Sequence, residues 1–173
     1  GKITTWSVPA DGSSPPTPLL PGVRRTVDEA EYSRDGRWIV YRVGSGGGRD
    51  ILAMRAEADT SARAVVATRA EEFSPALSPD GRWLAYASDE SGRTEVYVRP
   101  FSPGASNGGP WKISEQGGLG MTSWRKDGKE LYFMAADQSI MAVAVSTSPA
   151  VRIGTPHGLF KPDAPNAAFA RTP

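Results

Sequence analysis

The stretch Ser78-Pro79-Asp80-Gly81-Arg82-Trp83-Leu84-Ala85-Tyr86-Ala87-Ser88, continued after a polar loop by Glu95-Val96-Tyr97-Val98-Arg99-Pro100-Phe101, decides how the chain reads. Asp80-Gly81 is turn chemistry. Glycine takes positive φ without steric cost, and an aspartate carboxylate accepts bonds from backbone amides just downstream. The runs on either side alternate with a period of two, which belongs to strands and not to helices. With residues 73–77 in front, the stretch forms a strand, a tight turn, a second strand, a loop and a third strand.

The unit recurs. Asp35-Gly36, Asp80-Gly81 and Asp127-Gly128 are spaced by 45 and 47 residues, a period typical of four-stranded propeller blades. Each turn precedes a strand with an aliphatic residue in one column (Ile39, Leu84, Leu131) and an aromatic residue two positions on (Tyr41, Tyr86, Phe133). Positions i and i+2 share a strand face, so every copy has an aliphatic–aromatic pair to bury on one side. Third strands follow at Ile51-Leu52-Ala53-Met54, Val96-Tyr97-Val98-Arg99 and Ile140-Met141-Ala142-Val143. Another copy, Ile3-Thr4-Thr5-Trp6-Ser7-Val8, has no Asp-Gly hairpin before it. Short closing strands are expected around Leu19-Leu20, Val65-Val66, residues 111–113 and Leu159-Phe160. The expected fold is all-β: a β-propeller segment of about three four-stranded antiparallel blades plus a partial blade. Residues 1–22 read as the outer half of one blade, 23–68, 69–114 and 115–160 as blades, and 161–173 as the start of a following one.

Composition agrees with a turn-rich β domain. Gly 19 and Pro 15 make up about a fifth of the 173 residues, and 39% of the chain is apolar. Twenty basic against nineteen acidic residues leave a formal charge of +1, so no electrostatic argument favours nucleic acid or an anionic membrane surface. No cysteine is present, which excludes disulfides and thiolate metal sites. No apolar run is long enough for a helical membrane span. The first residue is Gly1, not Met, and an excised or processed segment is expected.

With these residues in view, Ser78 to Ser88 with Glu95-Val96-Tyr97-Val98 resembles the repeat of TolB-type β-propellers, and the resemblance covers nearly the whole chain. The first copy, Ser33-Arg34-Asp35-Gly36, lacks the proline, and the last, Arg125-Lys126-Asp127-Gly128, lacks both serine and proline. A narrower resemblance joins Met121-Thr122-Ser123-Trp124-Arg125-Lys126-Asp127-Gly128 and Gly154-Thr155-Pro156-His157-Gly158-Leu159-Phe160 to the late blades of propellers fused to bacterial serine/threonine protein kinases. It implies a bacterial protein, an extracytoplasmic or periplasmic setting, and a sensor or scaffold role. The kinase signatures themselves (glycine-rich loop with strand lysine, His-Arg-Asp, Asp-Phe-Gly) do not occur in this sequence.

The chemical candidates read mostly as architecture. Gly44-Ser45-Gly46-Gly47-Gly48-Arg49-Asp50 lacks the Gly-Lys-Ser/Thr ending of a phosphate loop and falls where other copies have inter-strand loops. His157 is the sole histidine, and no Gly-x-Ser-x-Gly elbow accompanies it. No catalytic residue, metal site or cofactor is expected. The five tryptophans are assigned to blade packing, and the adjacent acids Glu71-Glu72 to a solvated loop.

In a propeller the loops between second and third strands and the linkers between blades converge on one face. Arg49, Asp50, Asp89, Glu90, Arg93, Asp137 and Gln138 are therefore the expected ligand-binding residues, with Arg69, Glu71, Glu115 and Gln116 beside them. Of the central copy, Asp89, Glu90 and Arg93 are expected to be free for function. A protein, peptide or small polar ligand suits this mixed-charge rim.

Closed propellers carry about four to eight blades. Three and a half would leave apolar faces and strand edges uncovered, so the chain is expected to be part of a larger polypeptide or to complete a ring as a homodimer. The two function classes are a non-catalytic binding module of a regulator and the gating propeller of a prolyl-oligopeptidase-like serine hydrolase. The turn chemistry itself is testable: if the turn holds Gly81 at positive φ, Gly81→Ala is expected to cost on the order of 1 kcal/mol or more in denaturant unfolding.

Overall fold

The computed structural model describes residues 5–20, 23–44, 48–56, 61–105, 108–147 and 150–163. It is built from antiparallel strands in chain order. A short hairpin of β1 (Trp6–Ser7) and β2 (Thr17–Pro18) comes first. A four-stranded sheet follows, of β3 (Val27–Tyr32), β4 (Trp38–Val43), β5 (Asp50–Arg55) and β6 (Arg63–Val66). The second sheet holds β7 (Glu72–Leu77), β8 (Trp83–Ser88), β9 (Glu95–Pro100) and β10 (Trp111–Lys112). The third holds β11 (Gly118–Trp124), β12 (Glu130–Ala135), β13 (Ile140–Ser146) and β14 (Arg152–Ile153), and β15 (His157–Phe160) also pairs with β13. The first two sheets are simple meanders, as short hairpin connections dictate, and the third is one as far as β14, with β15 returning to β13. The expected β-propeller segment of three blades and a partial blade is what forms.

The columns read from the repeats become the layers between sheets. Leu84 and Tyr86 pack with Val40, Ile51, Ala53 and Val66, closing the first sheet on the second. Leu131 and Phe133 join Ala85, Val96, Val98 and Ile113 between the second and third. Ile39 and Tyr41 lie with Leu20, Val27, Val43 and Met54 on the side toward the N-terminal hairpin. Tyr86 stacks on Tyr97 with ring centroids 5.7 Å apart. One strand thus feeds two layers, its odd and even residues facing different neighbours.

The three Asp-Gly turns are nearly superimposable in conformation. Gly36, Gly81 and Gly128 have φ of 69°, 68° and 70°, and each donates its N–H to the carbonyl three residues back: Ser33, Ser78 and Arg125. In the first two copies a buried serine completes the turn. Ser78 Oγ donates to Asp80 Oδ1 (2.6 Å) and accepts from the Trp83 N–H (3.0 Å), and Ser33 does the same with Asp35 and Trp38. The third copy has Arg125 in that place, and its guanidinium grips Asp127 at both oxygens (2.8 and 2.7 Å) and Glu130 (2.7 Å). An ion pair takes over from a hydroxyl, with the turn unchanged.

The first strands of the sheets lie innermost, and side chains of both neighbours bond to the backbone of β7. Glu29 and Glu31 of β3 accept from the Ser74 N–H (2.7 Å) and the Leu77 N–H (2.6 Å). From β11, Thr122 Oγ1 donates to the Ser74 carbonyl and Trp124 Nε1 to the Ala76 carbonyl (3.1 Å). Matching bulges interrupt β7 between Phe73 and Ala76 and β11 between Gly120 and Ser123. They place Ser74 and Met121 at positive φ, 51° and 54°, a conformation costly for residues with a Cβ. The Met121 N–H then reaches Ser74 Oγ at 3.0 Å. A side chain at Gly120 would meet Ser74 Oγ at 2.6 Å, so this contact needs glycine.

Two details differ from the sequence reading, and a third falls outside what the structure describes. Trp6 is exposed, and Trp111 sits at the surface edge-on to Trp83 (5.7 Å); Trp38, Trp83 and Trp124 are half-buried as expected. Two segments, β14 and β15, share β13 in place of one closing strand, because β13 is seven residues long and each takes one end. The expected start of a following blade falls largely on residues 164–173, outside the described residues. Leu84 is fully buried between two sheets. Leu84→Ala is expected to lower unfolding stability by about 2–5 kcal/mol in urea titration, with an unchanged Gly81 turn.

Candidate functional site

Gly48 and Arg49 ahead of β5, the linker between β6 and β7, the loop between β8 and β9 and the linker between β10 and β11 meet on one face. Glu71, in the first linker, is the hub. It takes the Gly48 N–H on Oε1 (3.0 Å) and faces Arg49 Nε with Oε2 (3.4 Å), while its own N–H donates to Asp89 Oδ1 (2.9 Å). The Glu72 N–H closes on the Arg49 carbonyl (3.0 Å). Arg49 and Asp89, from different sheets, are thereby joined through one glutamate. Asp50 turns aside to Arg25 (2.8 Å), whose guanidinium also reaches the Gly48 carbonyl.

Arg93 belongs to a second brace. Its Nε donates to Glu95 Oε1 (2.7 Å) and its terminal nitrogen to the Glu115 carbonyl (3.1 Å). Glu95 also accepts from Ser114 Oγ and from the Gly117 N–H (3.1 Å), with Lys112 Nζ at 3.7 Å. Its side chain is 2% exposed. Burial alone would raise its pKa, but the Ser114 hydroxyl, Arg93 and Lys112 together hold it below the ordinary glutamate value. Asp137 is spent within its own turn, accepting the Ser139 N–H (3.0 Å) and hydroxyl (2.6 Å), and Gln138 sits at φ 71° in that turn.

The expectation that Asp89, Glu90 and Arg93 are free is therefore corrected for two of them: Asp89 and Arg93 are braces. The Glu90 carboxylate is exposed and makes no hydrogen bond or ion pair among the described residues, and the Gln138 side chain is likewise exposed. Glu71-Glu72 is not a solvated pair either. Glu72 heads β7 fully buried, its carboxylate taking the Thr68 hydroxyl. Burial pushes its pKa up, opposed by Thr68 and reinforced by the Asp50 and Glu90 charges. Two adjacent acids look alike in sequence; the start of a strand between them sends one inward.

Among the described residues no group of three or more His, Asp or Glu is placed to hold a metal ion. His157 is exposed on β15. The sequence reading assigned nothing to the opposite face, where the Asp-Gly turns lie. There a cleft of about 790 Å³ opens between the second and third sheets, lined among others by Trp83, Trp124, Lys129 and Arg152.

No family model matches the chain, and no curated protein does. Solved structures do. TolB from Acinetobacter baumannii aligns with a TM-score of 0.66 at 16% identity, over 88% of this chain and 37% of that one. A TolB candidate from Agrobacterium tumefaciens gives 0.67 at 16% identity, over 93% and 59%. The β-propeller domain of the Trilobed protease from Pyrococcus furiosus gives 0.55 at 17%, over 79% and 43%. The chain thus spans less than two thirds of the length of each. The likeness is one of fold: this is a TolB-like β-propeller fold, shared with propeller domains of peptidases.

Glu95 supplies a pH test with a defined sign. A carboxyl whose folded pKa is depressed stabilises the protein above its ordinary pKa and loses that contribution as pH falls through the folded value. Glu95→Gln is expected to cost about 2 kcal/mol at pH 7 through its buried hydrogen bonds. The gap from wild type should close as unfolding is measured from about pH 4.5 downward.

Proposed function

We propose that the chain is a non-catalytic binding module, the sensor or scaffold part of a larger bacterial regulatory protein such as a propeller-fused serine/threonine kinase. One observation carries this reading. The loops of two sheets are locked into a single surface by Glu71 and Glu95, and the polar groups left over point outward and not into an enclosed reaction site. A surface braced before the ligand arrives loses little conformational entropy on binding, which favours recognition. Arg69, Glu90, Glu115, Gln116 and Gln138 are exposed polar groups of that surface, and their mixed character suits a peptide or small polar ligand. The kinase association rests on the late-blade sequence resemblance alone, since a fold of this kind hosts many functions.

A second reading is favoured by the likeness to the Pyrococcus protease propeller domain: the gating propeller of a serine hydrolase. The parent gene separates the two, a kinase domain encoded upstream supporting the first and a hydrolase domain downstream the second. For the binding face itself, peptides selected from a displayed random library against the purified protein are the probe. Arg69→Glu with Glu90→Lys is expected to weaken the selected peptides at least tenfold by calorimetry. Unchanged affinity overturns the placement, and turnover of fluorogenic peptide or ester substrates by the purified chain overturns the non-catalytic reading.

A further inference from the structure

The cleft on the turn face lies where the Asp-Gly hairpins of the second and third sheets diverge, with the end of β13 and β14 as its outer wall. Its volume, about 790 Å³, is within the roughly 300–1,000 Å³ that accommodates a ligand of several hundred daltons. It runs between two sheets and opens to solvent, a form that admits a chain passing through as well as a compact molecule. The floor is apolar: Trp83, Trp124, Pro79, Val145 and Ile153 contribute to it. Both indoles are held in place. Trp83 meets Trp111 edge-on at 5.7 Å, and Trp124 Nε1 is bonded to the Ala76 carbonyl. Fixed indole faces are strong anchors for bulky side chains, since little side-chain entropy is lost on contact.

The charges give the cleft a sign. Its lining holds Arg82, Lys129 and Arg152 against Asp80 and Asp127. Asp80 is taken by Arg82 (2.8 Å) and Asp127 by Arg125 at both oxygens. The carboxylates are thus neutralised within their own turns. Lys129 and Arg152 are exposed and make no ion pair among the described residues; the Lys129 backbone N–H donates to Asp127 Oδ1 (3.0 Å), while its ammonium reaches that carboxylate through its field. Two uncommitted cations over an apolar floor make a complementary surface for carboxylates attached to an apolar body.

We propose that this cleft binds a short acidic peptide segment with a bulky apolar side chain, its carboxylates on Lys129 and Arg152 and its apolar side chain against Trp83 and Trp124. The site goes beyond the loop-face reading and does not depend on it, since the two lie on opposite faces. A polyanion is a poor fit, because among the described residues lining the cleft two cations, Lys129 and Arg152, are unspent.

The test uses an N-acetylated, C-amidated peptide Asp-Phe-Glu-Leu and its counterpart Lys-Phe-Lys-Leu, titrated into the purified protein by calorimetry and tryptophan fluorescence. The acidic peptide is expected to bind and change the tryptophan emission, and the basic one not to bind. Lys129→Glu with Arg152→Glu should weaken the acidic peptide at least tenfold with the unfolding midpoint unchanged, because both side chains lie at the surface. Arg24→Glu, a surface charge reversal outside the cleft, should leave binding as it was. Absence of binding at millimolar peptide, equal binding of the basic peptide, or full binding by the double variant each overturns the proposal.

Discussion

A sheet with apolar residues on both faces cannot stand alone in water, and everything else in this protein follows from that constraint. Leu84 and Tyr86 on one side of β8 and Ala85 on the other commit the second sheet to two neighbours. Burying a large apolar side chain is worth about 1.5–3 kcal/mol, so each layer of such side chains outweighs any single polar contact nearby. The hydrogen bonds to the β7 backbone from Glu29, Glu31, Thr122 and Trp124 do a different job. They fix the sliding position of one sheet on the next, which non-directional apolar contact leaves open.

The same economy explains why the loop face looks richer in chemistry than it is. A linker that must cross from an outer strand to the next inner strand carries backbone groups that need partners away from any ladder. Glu71, Asp89, Glu95 and Arg93 meet that need, and their charges are consumed in doing so. The residues left for recognition are the ones whose backbone neighbours are already satisfied. On the turn face the accounting runs the other way, because each Asp-Gly turn neutralises its own carboxylate and leaves the cations of β14 and the turn flank unspent.

The fold was legible because its signals are local and repeated. A turn glycine and an alternating pair of columns, seen three times, define strand, face and layer without tertiary information. The braces were not legible. Whether Glu71 or Glu72 turns inward depends on where β7 begins, a boundary set by pairing with β8 and by Thr68. The bulges escaped for a similar reason: Ser74 and Met121 carry no turn signature, and only the contact with the adjacent inner strand favours their positive φ. The cleft was hidden because its walls come from two sheets and its two tryptophans sit in different columns, at Trp83 just after a turn and Trp124 just before one.

The outermost strands add a mechanical consequence. The strands β7, β8 and β9 have six residues each, but β10 and β14 have two. Side-chain bonds between sheets lie on the inner strands and the loop-face linkers, while the outer edge has short ladders and the turn-face cleft opens beside it. Cohesion therefore grades from axis to rim, as in a book bound at the spine. Such a stack can fan open at its circumference while keeping its register at the centre, so a ligand wedged at the rim could change the angle between two sheets without breaking either.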